Sequence, residues 1–151
     1  MRPTTFADVV FAFVLGFLSA GPDLALPTLP GISWILPASA PISDPGFRVL
    51  LTYPESNRGN LPPGQKQIYD STAIPAYLDA HCVKDAKNAP EWRLWPDTET
   101  PKEDQPIWQK LMKLANGKGA MVIISDGRRG TIQPWPADEA AMLALLKKYG
   151  G

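Results

Sequence analysis

The chain has 151 residues with 15 basic and 15 acidic side chains, 17 prolines and a 44% hydrophobic share, which fits one small globular domain plus a non-globular extension and excludes two domains. Balanced and scattered charge gives no field of one sign, so neither nucleic-acid phosphates nor an acidic membrane surface is an electrostatic partner. One cysteine, Cys82, excludes an internal disulfide and any Cys-x-x-Cys pair, and one histidine, His81, excludes a His-rich metal centre, so no cofactor or metal is expected.

Residues 1–20 open with a single early cation, Arg2, followed by an almost wholly apolar run, 9–20, that ends in small residues before Gly21 and Pro22. Asp8 and Asp23 bracket this run more tightly than the about 20 apolar positions a spanning helix needs. The segment reads as a signal-peptide core or an uncleaved anchor, placing residues 6–20 at a membrane; the alternative is a hydrophobic helix that docks in an assembly. Residues 21–46 carry Pro22, Pro27, Pro30, Pro37, Pro41 and Pro45 between apolar residues, which predicts an extended, semi-rigid arm. Trp34 and its neighbours are too apolar for a mere spacer and should pack on the domain, a partner or a membrane.

The globular domain is expected over 47–151. Residues 47–53 form an apolar, β-favouring run stopped by Pro54, read as a central strand. A polar loop over 55–67 follows, long enough to be a working loop. Ser71 can cap a helix with the stripe Ile74, Tyr77, Leu78, His81 and Cys82; Pro75 is tolerated in its first turn. Residues 91–95 alternate as a strand ended by Pro96, and an acidic loop over 97–105 leads to a helix from Pro106 with Ile107, Trp108, Leu111 and Leu114 on one side. The run Val122, Ile123, Ile124 suits a strand covered on both faces. Asp126 and Gly127 then turn it back into an edge strand. A last helix is expected from Pro136, with Asp138 and Glu139 in its first turn and Lys147 and Lys148 in its last.

The element order β, α, β, α, β, β, α implies two β-α-β units with parallel strands and an antiparallel edge strand. In this order and size, residues 47–151 resemble the thioredoxin-like fold, a three-layer α/β sandwich. The resemblance implies a Cys-x-x-Cys pair after the first strand and a cis-proline before the third. Here 54–71 contains no cysteine, and Gly119 and Ala120 occupy the proline's place, so the implied dithiol chemistry does not carry over.

Cys82 is then a core thiol near a helix carboxyl end, where the dipole disfavours a thiolate, and His81 a helix-end residue; a one-thiol oxidoreductase using Cys82 with His81 is the rival. The acids Asp97, Glu99, Glu103 and Asp104 lack calcium-loop spacing, and Arg128 and Arg129 read as a charged strand edge. Trp92 and Trp108 are assigned to the core. Glu55, Asn57, Arg58 and Asn60, together with Trp95, Trp135 and Trp34, form the expected contact surface. The expected function is a non-redox binding or assembly module with a protein partner, held at a membrane or exported to a periplasmic or extracellular space. A structural component of a virion or other large assembly is a further alternative.

Overall fold

The computed structural model describes residues 39–150; the expectations for residues 1–20, for Trp34 and for the arm before Ser39 lie outside the described residues. β1 (Arg48–Tyr53) is the sheet's centre, because Val49, Leu50 and Leu51 are all buried and each face therefore needs a cover. It pairs in parallel with β2 (Trp92–Pro96) on one side, Val49 opposite Trp92. On the other side it pairs antiparallel with β3 (Met121–Ser125), Leu50 opposite Ile123. β4 (Gly130–Pro134) completes the order β2-β1-β3-β4 as an antiparallel edge. The β3–β4 connection is the expected hairpin, with Gly127 at φ 88°, a left-handed conformation that suits glycine.

The helices form two layers. α1 (Pro63–Tyr69), α2 (Ala73–His81) and α4 (Glu139–Gly150) cover one face, where Ile68, Ile74, Leu78, Met142 and Leu146 meet Val49, Leu51, Val122 and Ile124. α3 (Pro106–Ala115) covers the other, laying Trp108, Leu111, Met112 and Ala115 on Leu50 and Ile123. Ser71 caps α2 as expected, its Oγ accepting from the Ile74 amide at 3.0 Å. α4 begins at Glu139, later than Pro136, because Asp138 Oδ1 accepts the Ala141 amide at 2.8 Å and so starts the helix itself.

Two expectations are corrected. The second β-α-β unit does not return a parallel strand. α3 opens beside Glu91 and Arg93 at the amino end of β2 and closes near its carboxyl end, so the long loop before it makes the return trip across the sheet. The chain therefore enters β3 from the carboxyl end of β1, where Thr52 Oγ1 donates to the Gly119 carbonyl at 2.8 Å, and β3 must run antiparallel. The polar stretch 55–67 is not an irregular loop either: it folds into a 3-10 helix (Glu55–Asn60) and the start of α1, whose Pro63 sits where a missing N–H costs nothing.

Residues 39–46 lie across the hairpin. Ile42 is buried against α3's layer, Ser125 Oγ donates to its carbonyl at 2.9 Å, Gly46 N–H donates to Asp126, and Ser39 bridges to Arg129. Arg48 fastens this strap, donating to the Pro45 carbonyl at 2.7 Å while ion-pairing with Glu91.

Candidate functional site

The carboxyl ends of β1 and β2, where open α/β sheets offer a crevice, are tied together before any site begins. The Asp97 amide donates to the Tyr53 carbonyl at 2.8 Å, the Glu55 amide to Asp97 Oδ1 at 3.2 Å, and Thr98 Oγ1 to the Glu55 carboxylate. The chain leaves β1 through Pro54, which cannot extend the ladder, and coils into the exposed 3-10 helix that carries Glu55, Asn57, Arg58 and Asn60.

Arg58 is the fixed point of this turn. Its guanidinium carbon lies 4.6 Å from the Tyr69 ring centroid and 5.9 Å from that of Tyr53, and the two rings meet edge-on at 5.1 Å. The cation thus rests on the negative faces of two half-buried rings brought from different elements. Desolvation raises the Tyr53 phenol above its ordinary pKa, with Tyr69 and Glu55 adding and Arg58 opposing. Behind the turn, Arg58, Gly59, Leu61, Lys66, Tyr69 and Asp70 line a cleft of about 390 Å³.

The aromatic half of the expected surface is not assembled. Trp135 is a correction: it is buried in the core, its indole N–H donating to the Met121 carbonyl at 2.9 Å and its backbone amide to the Ala120 carbonyl at 2.9 Å. Trp95 is half-buried on the α3 face, edge-on to Trp108 at 5.8 Å, away from the 3-10 helix layer. Trp108 is in the core as assigned, whereas Trp92 is only half-buried on edge strand β2, where its indole N–H donates to Asp79 at 2.7 Å.

Cys82 closes α2 with its side chain in the core, and burial, aided by Asp79 and Glu91 and opposed by Arg48, pushes its thiol up to about 12. His81, one residue earlier, is exposed. It stacks on Tyr77 at 4.0 Å with Nδ1 2.8 Å from the Tyr77 carbonyl, the geometry of a helix-end residue. Among the described residues no group of three or more His, Cys, Asp or Glu could hold a metal ion, and no helix is long and apolar enough to cross a membrane.

Of the expected contact residues on the 3-10 helix, Arg58 lines this cleft and Glu55, Asn57 and Asn60 do not; Tyr53, Leu61, Lys66 and Tyr69 are not among those expected. Their only trace is a tyrosine before Pro54 and another sixteen positions on, a spacing that means nothing until α1 folds back. No family model, no curated protein and no solved structure matches the chain.

Proposed function

We propose that the domain is a thioredoxin-like scaffold without thiol chemistry, working as a protein-binding or assembly module held at or exported across a membrane by its amino-terminal segment. One observation carries the non-redox reading. Directly after β1, where the resemblance implies a reactive dithiol, stands an exposed turn built around Arg58, and the sole cysteine is buried at the far end of α2. A three-layer arrangement of helices about a mixed four-stranded sheet supports the scaffold, with α1 as an added helix. Export or tethering rests on the apolar run 9–20 alone.

The rival one-thiol oxidoreductase needs an accessible thiolate, and a thiol with a pKa of about 12 is almost wholly protonated near neutral pH. The test places a photo-crosslinking residue at Asn60 in the full chain in its native source, with a second at exposed Lys147 on α4 as control. A protein captured from Asn60 and not from Lys147 supports the module. Turnover of a disulfide or peroxide substrate that Cys82→Ser abolishes overturns it.

A further inference from the structure

We infer that the cleft between the 3-10 helix and α1 receives the carboxylate of an acidic segment on a protein partner, an inference that rests on the binding-module reading and deepens it. Arg58 is the recognising group. The tyrosines hold it over their rings, and the guanidinium edge, which carries its N–H fork, is the part that such stacking leaves for a planar two-oxygen acceptor. Among the described residues that fork is unused: the two ion pairs are Arg48 with Glu91 and Arg129 with Asp126, and Arg58 donates no hydrogen bond. A long cation already ordered by its neighbours loses less freedom when a ligand arrives, which is how preorganisation raises affinity.

Charge selects the ligand class. The cleft's ionisable lining is Arg58 and Lys66 against Asp70, which leaves a single net positive charge. That balances a singly charged carboxylate and under-compensates a phosphate ester, which carries nearly two negative charges. Leu61 and the Tyr69 ring give the same cleft an apolar wall, suited to the methylenes of a glutamate or to an apolar neighbour in the bound segment.

The experiment uses the full chain labelled with ¹⁵N at arginine. It is titrated with the blocked peptide acetyl-Gly-Leu-Glu-Leu-Gly-amide, with the same peptide carrying Gln for Glu, and with inorganic phosphate. The Glu peptide should move the Arg58 Nε–H resonance saturably, and the Gln peptide should bind about tenfold or more weakly, the loss expected for removing a charge-assisted hydrogen bond. Arg58→Lys should cost about tenfold because an ammonium lacks the fork and the stack, and Lys66→Gln should weaken binding less. Equal binding of the Gln peptide, tighter binding of phosphate, or an unmoved Arg58 resonance overturns the inference. The crosslinking result separates the two readings: a partner captured at Asn60 of the wild-type chain, with no preference for the Glu peptide, leaves the module standing and removes this site, whereas no capture at Asn60 and no Glu preference in wild type removes both.

Discussion

At the scale of the residue, Cys82 shows how position decides chemistry. The thiol ends a helix at its carboxyl end, and burial among Phe47, Ile74 and Leu78 removes the water that would stabilise a thiolate. Its pKa rises from 9.0 to about 12. A raised value means the folded state favours the neutral thiol. The stability this supplies is therefore complete below the ordinary value and is lost as pH climbs from about 9 towards 12. Two outcomes follow: thiol reagents at pH 8 should react only at the rate of unfolding, and urea titrations should show wild type losing stability from pH 9 to 11 more steeply than Cys82→Ala. Rapid labelling of the native protein would contradict the burial.

At the scale of the element, α1 and the β3–β4 hairpin each turn on one residue, Gly64 and Asp126. α1 approaches the segment before α4 so closely that a Cβ at Gly64 would lie 1.9 Å from the Ala137 carbonyl oxygen, while Gln65 Nε2 donates to the Trp135 carbonyl at 3.4 Å. Gly64→Ala should push α1 off this segment, costing about 1–3 kcal/mol in chemical denaturation, and should disturb the Arg58 stack by moving Tyr69. The hairpin is closed by Asp126, whose Oδ1 accepts the Arg128 and Arg129 amides at 2.7 and 2.6 Å. Partial burial pushes its carboxyl pKa up, but these amides and the Arg129 guanidinium outweigh that and hold it below its ordinary 3.8. A lowered value means stability that is present above the ordinary pKa and lost as pH falls below it. Acid unfolding followed by circular dichroism below pH 4 should thus be steeper for wild type than for Asp126→Asn.

These elements also show what a sequence can disclose. β1 and β3 are legible because a strand covered on both faces needs an unbroken apolar run, and Val49, Leu50, Leu51 and Val122, Ile123, Ile124 provide it. α3 is legible from its apolar spacing, with Met112 and Ala115 widening the predicted stripe. α1 is hidden behind Pro62, Pro63 and Gly64, residues that normally signal a loop and here serve a helix start and a close packing contact. Trp135 misleads because flanking prolines suggest exposure, while the fold buries its ring and satisfies its indole N–H at the Met121 carbonyl of the neighbouring strand. The direction of β3 depends on which way the acidic loop travels, and no local pattern encodes that. The Arg58 cluster draws on β1, the 3-10 helix and α1, so it exists only in three dimensions.

At the scale of the whole molecule, the described part of the proline-rich arm is a structural component of the domain. Ile42 shares the α3 layer with Leu50, Trp108 and Ile123, and Arg48 joins Pro45 and Glu91 at the same edge. Ile42→Ala in the full chain should therefore cost about 2–4 kcal/mol, as for other buried aliphatic truncations. It should also weaken protection of the Gly46 amide in hydrogen exchange, since that amide donates to Asp126 beneath the strap. A substitution with no measurable effect would place the start of the stable unit after Gly46.

β1, one of the sheet's two inner strands, is the first of the described strands to be synthesised. Thr52 faces Met121, 69 residues downstream, and on its other flank β1 waits for β2 at residues 92–96. A ribosome adding about 5–20 residues per second thus releases Val49, Leu50 and Leu51 several seconds before both neighbouring strands exist. Newly made chains must keep that sticky stretch from associating with others until its partner strands arrive.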